Sequence, residues 1–479
     1  MGMILRTSSF LLVATLCHAK HGCEQKIDAI NKNALSLEVQ CQEIQTQADA
    51  LVAGGCCGGG SGGGDCVCAP TPIIDGTDPI VVPRGVNCLT ADLATKSLNA
   101  SDGAVIDLNG HTVYNVFGDS NFTVKNGTIL NELAGNDNIV GYGLNVPRIS
   151  GGPGSITLVD CTGLIETFSV DDAVLVRCSG GDGQLEVTQS HHVSIIDSYF
   201  GYRIVVDQDL QSFKMYRSTV RYAENDPYKR SLYSISGMTN LSEFMLYEST
   251  LGGVLLGGAY TNPVHMLIES SMLDNCEFGD LGGVTRFSSG LVTRSLLGQT
   301  LCNQSVGLTF NACEIVGEFS FNQCENIECD NDSVYHVGNA NNDALIVIDG
   351  RSIVVRDCFA IVDNNHAGYS FNGETASLAV LNCYAKGCPI GFFINNPTDG
   401  FMGVIKECVA DGCSQASYKQ SNGQASLFAY GNVAISKSAA PVANYDTNAL
   451  VSFNPLATSL TAIETDTVTS WRNISFELP

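Results

Sequence analysis

The sequence predicts an all-β solenoid, a parallel β-helix of stacked coils, and three observations lead there. Short strands with alternating apolar residues recur from residue 70 onward, and each copy ends at a small residue. The small residues follow one another at intervals that suit one coil of such a solenoid, 17 from Cys161 to Cys178 and 25 from Cys383 to Cys408. The composition, with 50 Gly and 15% charged residues in 479, lacks the Glu/Lys/Leu-rich character of helical proteins and suits turns and strands.

The recurring unit has two apolar residues at i and i+2, then a polar residue, then a small one. It reads Phe122-x-Val124 before Asn126-Gly127, Ile156-x-Leu158 before Asp160-Cys161, and Val174-x-Val176 before Cys178. It returns as Val193-x-Ile195 before Asp197-Ser198, Phe213-x-Met215 before Ser218, Phe244-x-Leu246 before Glu248-Ser249, and Met266-x-Ile268 before Glu269-Ser270. Later copies end at Ser295, Cys313, Cys358, Cys383 and Cys408. Two longer gaps, Ser218 to Ser249 and Cys313 to Cys358, are read as an inserted loop and a degenerate coil.

In a coil of about twenty residues, two or three strands pair in parallel with their counterparts one coil away, about 4.8 Å along the axis. Like positions then stack in columns. The column after the acidic residue is expected to admit only small side chains, so that Cys, Ser and Gly interchange there and cysteine acts as a small hydrophobe. Stacked neighbours such as Cys161 and Cys178 have parallel Cβ vectors, a poor geometry for bridging, so buried free thiols are expected.

The ends of the chain read differently. Arg6, the apolar run Phe10 to Leu16 and a cut after Ala19 read as an export signal over residues 1–19. A lipid anchor at Cys17 is disfavoured by the bulk of Leu16 before it. Over 20–53, the residues Ile27, Ile30, Ala34, Leu37, Cys41, Ile44, Ala48 and Leu51 step by three and four, a heptad seam that predicts a short coiled-coil helix and a homo-oligomer joined through residues 23–51. A lone amphipathic helix is the competing reading. Residues 54–69 are a Gly/Cys-rich linker. Its Cys56, Cys57, Cys66 and Cys68 are read as disulfide-forming in an oxidising compartment, with a soft-metal site as the alternative; no His follows at finger-like spacing. The β-helix is assigned to 70–440, its N-terminal cap included, and a C-terminal cap to 441–479.

The formal net charge of -25 argues against a nucleic-acid partner, whose phosphates need Lys and Arg. No apolar stretch approaches the roughly 20 residues of a membrane helix, so no membrane span is expected. The chain is expected outside the cytoplasm, secreted or on the cell surface.

The phrase Ala104-Val105-Ile106-Asp107-Leu108-Asn109-Gly110-His111-Thr112-Val113, followed by Phe122-Thr123-Val124-Lys125-Asn126-Gly127-Thr128-Ile129, resembles the opening coils of right-handed parallel β-helix proteins of the pectate-lyase-like superfamily. The resemblance covers residues from about Ile80 to Ile435 and implies a right-handed coil. Members include polysaccharide lyases and glycoside hydrolases, so enzyme activity on a glycan is one expectation. The phrases themselves speak to fold and not to chemistry.

A carboxylate pair for glycan cleavage would draw on Asp171 with Asp172, Asp207 with Asp209, or Asp357 with Asp363, yet each lies where a solvated turn Asp is expected anyway. His191 and His192 are adjacent on a strand and face opposite ways, so they do not chelate together. No phosphate loop and no serine-hydrolase elbow on a strand-to-helix turn occurs, and neither a cofactor nor a metal is implied. The candidate ligand patch is Tyr216, Arg217, Arg221, Tyr222, Tyr228 and Arg230, because aromatic faces stack on sugars and Arg anchors contacts. Snorkelling side chains on a lateral loop are the plainer reading. Three roles remain: a structural, adhesive or glycan-binding rod that meets glycans or a host surface protein, a carbohydrate enzyme on the same scaffold, or a trimeric fibre like a tail spike.

Overall fold

The structure, a computed structural model, describes most of residues 71–436, the strands Tyr445–Thr447 and Leu460–Glu464, and positions 39, 42, 43 and 46. Those four positions are α-helical, and Thr46 Oγ1 donates to the Gln42 carbonyl at 2.7 Å. The export signal, the rest of the heptad seam and the Gly/Cys-rich linker lie outside the described residues.

From residue 71 the chain is an all-β parallel solenoid. Alternation of apolar and polar residues makes each short strand bury one side, and a single coil offers too little surface to bury it alone. Stacking in parallel solves both problems. Three ladders result, one per face. The first runs from Thr71–Ile73 through Ala104–Asp107, Asp172–Val176, Ser212–Tyr216 and Glu243–Tyr247 to Ala425–Tyr430. The second takes in Thr219–Val220, Thr250–Leu251, Glu314–Val316, Ser333–His336 and Tyr384–Lys386, and ends on Leu460–Glu464. The third takes in Ile204–Val206, Phe319–Asn322, Leu345–Ile348, Ala367–Asn372 and Ile390–Asn395, and reaches Tyr445–Thr447. Parallel pairing therefore continues past Ile435, where the repeat fades in the sequence.

Inside the coils, in-register positions form columns of buried apolar residues. Leu158, Leu175, Ile195, Met215, Leu246, Ile268, Val292 and Phe310 follow one another on the first face, all buried. On the third face Tyr369, Phe392 and Tyr418 stack with centroids 4.9 and 5.2 Å apart and planes 1° and 7° from parallel. Their buried hydroxyls are satisfied where shown: Tyr369 donates to the Tyr384 carbonyl at 3.3 Å and Tyr418 to the Cys408 carbonyl at 2.7 Å. The phrase around Leu108 and Gly127 is a tie between coils. A Cβ on Gly127 would come within 2.4 Å of the Leu108 Cβ, Gly110 N–H donates to the Asn126 carbonyl at 2.7 Å, and buried Lys125 pairs with Asp107 at 3.0 Å.

The corner after each first-face strand carries the small residue. The residue before it adopts a left-handed backbone: Asp160, Arg177, Asp197, Arg217, Glu248, Ser270, Arg294, Ala312, Asn331, Asp357, Asn382 and Glu407 all have φ between 43° and 58°. The next residue points inward. In register this column holds Cys161, Cys178, Ser198, Ser218, Ser249, Ser271, Ser295, Cys313, Asp332, Cys358, Cys383, Cys408 and Asn432, all buried. Two features differ from the sequence expectation. Ser271, not Ser270, occupies the column, because Ser270 takes the left-handed corner at φ 50°. The degenerate coil between Cys313 and Cys358 is a complete one, with Asp332 in the column.

Size is only part of what the column selects. The backbone N–H of each column residue points along the axis and needs an acceptor on the next coil. Cys178 N–H donates to Ser198 Oγ at 3.0 Å, Ser198 to Ser218 at 3.0 Å, Ser218 to Ser249 at 3.3 Å, Ser249 to Ser271 at 3.2 Å, and Ser271 to Ser295 at 3.2 Å. Each hydroxyl in turn donates to the carbonyl two residues before it, Ser198 to Ile196 at 2.8 Å and Ser218 to Tyr216 at 2.8 Å among them. The position therefore wants a short side chain that both accepts and donates. Ser218→Ala keeps the side chain small and removes both functions, leaving Ser198 N–H buried without a partner, so it should cost about 1–3 kcal/mol. Ser218→Cys should cost less than about 1 kcal/mol, and denaturant midpoints of the two variants measure the difference.

Candidate functional site

The cluster of Tyr and Arg residues between 216 and 230 divides between separate places on the coil. Tyr216 ends the first-face strand, is 4% exposed and stacks on Tyr247 with centroids 5.1 Å apart. Arg217 sits at the left-handed corner, and donates from Nε and Nη2 to the two Asp197 oxygens at 2.7 and 2.8 Å, its guanidinium 4.4 Å from the Tyr216 centroid. The hydrogen bond to Asp197 holds the guanidinium protonated beyond its ordinary range. These two residues tie coils together. Arg177 does the same one coil earlier, with Asp160 at 2.7 and 3.1 Å.

Arg221 and Tyr222 lie at the far end of the second-face strand Thr219–Val220. Arg230 opens the third-face strand Arg230–Ser234, and Tyr228 lies outside the described residues. What Arg221 meets is a residue from the preceding coil. Its N–H donates to the Phe200 carbonyl at 2.9 Å, and its guanidinium stands 5.7 Å from the centroid of Tyr199, which is 42% exposed. Tyr202 and Arg203 follow on that coil, with the guanidinium 5.3 Å from the Tyr202 centroid.

The outward patch is thus Tyr199, Tyr202, Arg203, Arg221 and Tyr222. Of the sequence candidates it keeps Arg221 and Tyr222 and adds three. The missed signal was the coil interval, since Tyr199 pairs with Thr219 in register, two residues before Arg221. Tyrosine faces take the apolar side of a sugar ring, and a planar guanidinium pairs a carboxylate in two bonds, so the patch has the chemistry of a contact for an acidic glycan.

The candidate acids that are described take up turn and strand-edge positions. Asp171 faces His191 Nδ1 at 3.1 Å, and its carbonyl accepts from the His191 and His192 N–H groups at 2.9 and 3.0 Å. Asp172 opens the next first-face strand beside His192. Asp209 lies in the turn before Leu210, and Asp357 holds a left-handed corner and accepts from Asn382 Nδ2. Asp207 and Asp363 lie outside the described residues. His111 Nδ1 is 3.3 Å from Asp92, within the opening coils. No group of three or more His, Cys, Asp or Glu among the described residues is placed to hold a metal ion. No helix among them is long and apolar enough to cross a membrane.

Among the described residues the thiols of the solenoid are free, and all but Cys88 are buried. Burial pushes the Cys324 thiol up to about 12 and raises Cys313, Cys329, Cys358 and Cys383 as well. Cys178 is raised too, first by its hydrogen bond with the Cys161 thiol and then by burial. The thiolate is the reactive form, so these groups are inert while the coils are stacked. One column member is a carboxylic acid. Asp332 Oδ1 accepts the Cys313 N–H at 2.8 Å, Oδ2 is buried with no hydrogen-bond partner, and burial pushes the carboxyl up to about 8. The cysteines proposed for disulfides, Cys56, Cys57, Cys66 and Cys68, lie outside the described residues.

Maleimide labelling of the native chain near pH 7.5 followed by peptide mapping should leave Cys313, Cys324, Cys358 and Cys383 unmodified, and labelling in denaturant should modify all four; native labelling at rates of a free thiol would contradict the packing described here. Compared with protein-family models, with curated proteins and with solved structures, the chain finds no match.

Proposed function

We propose that the chain is an exported or surface-exposed rod, a right-handed parallel β-helix with a structural and adhesive role, which meets acidic glycans through Tyr199, Tyr202, Arg203, Arg221 and Tyr222. The handedness follows from the general rule that a strand, crossover and parallel strand wind to the right, and it agrees with the pectate-lyase-like resemblance of the two opening phrases. Export follows from the apolar run before Ala19. A coiled coil over residues 23–51, tethered by the Gly/Cys-rich linker, would gather several rods, the arrangement of a trimeric fibre.

The observation that carries the reading is the contrast between two arginines four residues apart. Arg217 is held in two bonds by Asp197, whereas Arg221 makes no ion pair among the described residues and lies over the exposed ring of Tyr199. On a chain of net charge -25, an outward guanidinium set among tyrosines favours a carboxylated partner. The acids noted above give a polysaccharide lyase or glycoside hydrolase no matching support.

Retention on immobilised polygalacturonate and on a neutral glucan tests this reading. The wild-type chain should bind the acidic polymer, and Arg221→Ala and Tyr199→Ala should each weaken binding about tenfold or more, in line with about 1.4 kcal/mol per decade. Arg217→Ala should leave binding within about threefold and lower stability by about 1 kcal/mol or less, as for a partly exposed ion pair. Equal binding by all variants would contradict the patch, and release of reducing or unsaturated sugar ends would favour the enzyme. Sedimentation with and without residues 20–69, beside non-reducing electrophoresis, tests assembly: a disulfide-linked oligomer is expected of the longer form alone.

A further inference from the structure

The corner column sets a chemical requirement that a carboxylate does not meet. Serine satisfies it with one oxygen, accepting the N–H of the preceding coil and donating to the carbonyl two residues back. Cysteine donates in the same way, Cys358 to the Arg356 carbonyl at 3.2 Å and Cys383 to the Leu381 carbonyl at 3.3 Å. Asn432 divides the roles, its Oδ1 accepting the Cys408 N–H at 2.9 Å and its Nδ2 donating to the Ile405 carbonyl at 3.0 Å.

Asp332 fills the same position with two oxygens. Oδ1 accepts the Cys313 N–H at 2.8 Å, as the column demands, and Oδ2 is buried without a partner. An ionised carboxylate has nothing to donate and leaves a charge inside the apolar prism. The neutral acid carries a proton that supplies the donor. The titratable groups facing it do not offset a charge: Cys313 lies on the coil before, Cys358 on the coil after, and Cys329 three residues earlier on the same coil, all neutral thiols held so by burial. Asp330, which ends the strand two residues before it, adds a like charge and is itself held by Arg356 at 3.0 and 2.9 Å.

We propose that Asp332 is carried in the folded chain as a neutral carboxylic acid, and that it makes the coil between Cys313 and Cys358 a pH-sensitive joint of the solenoid. Loss of the proton on the alkaline side places an unpaired charge in the column and loosens the stacking of the coils on either side. The sign follows from linkage. A carboxyl raised in the folded state contributes stability that is fully present below the unfolded pKa, about 4, and is lost as pH rises through the folded value, about 8.

The test compares the full chain with Asp332→Asn, which keeps one acceptor and one donor without titrating, and with Asp332→Ser, the commonest column residue in the central coils. Unfolding by denaturant is followed between about pH 5 and pH 8. Relative to either variant, the wild-type unfolding constant should rise about tenfold per pH unit across that window. Infrared spectra of the native wild type should show a protonated carboxyl band at about pH 6 that disappears above about pH 8 and is absent from both variants. Parallel stability profiles with no such band would overturn the proposal. Should neither variant fold, the wild-type infrared titration decides alone: a titrating band supports the neutral acid and its absence refutes it.

Discussion

Everything in the solenoid depends on how one backbone N–H is satisfied at the corner after each first-face strand. To turn there, the chain passes through a left-handed residue, a conformation that costs an ordinary L-residue about 1–2 kcal/mol. The following N–H then points along the axis, buried, where water does not reach it. A side-chain oxygen from the next coil accepts it, from Cys178 through Ser271 and again at Cys313 and Cys408. The same bond that ends one coil fixes the rise to the next, so register, column identity and the apolar stacks behind them follow together. The residues that take the left-handed cost contribute to cohesion as well. Several are Asp or Asn, which tolerate that region, and the arginines there reach back to an acid on the previous coil, as Arg177 does to Asp160 and Arg217 to Asp197.

Much of this was legible in the sequence, because a solenoid writes its period into the chain. The alternation Ile156-x-Leu158 or Val193-x-Ile195 and the small residue after it gave the strands and the column. What failed to show was chemistry hidden behind size. Read as a filter for small side chains, the column had no room for an aspartate, and the coil holding Asp332 looked degenerate. Asn331 before it and Val334 after it carried the signal, since Asn favours the left-handed corner and Val334 resumes the inward alternation. Ser270 and Ser271 are both small, so spacing alone did not say which one turns and which one points inward.

The candidate site was less legible for a related reason. Tyr216, Arg217, Arg221 and Tyr222 are neighbours in sequence, but a corner and a short strand lie between the pairs and carry them to different places on the coil. Neighbours in space come instead from one coil away, as Tyr199 comes to Arg221. The thiols show the same distinction between composition and context. Twenty cysteines would suggest a disulfide framework, yet those of the described coils are free and, Cys88 apart, buried, with column members such as Cys358 donating as serine does.

Native-state hydrogen exchange of the corner amides bears most directly on the claim that this column holds the coils together. The N–H groups of Ser198, Ser218, Ser249 and Ser271 should exchange as slowly as the central strand amides beside them, and should open with them in one cooperative step. Exchange of these four amides at the rate of solvent-exposed turns, with the strands still protected, would show that the stacks of apolar side chains hold the solenoid without them.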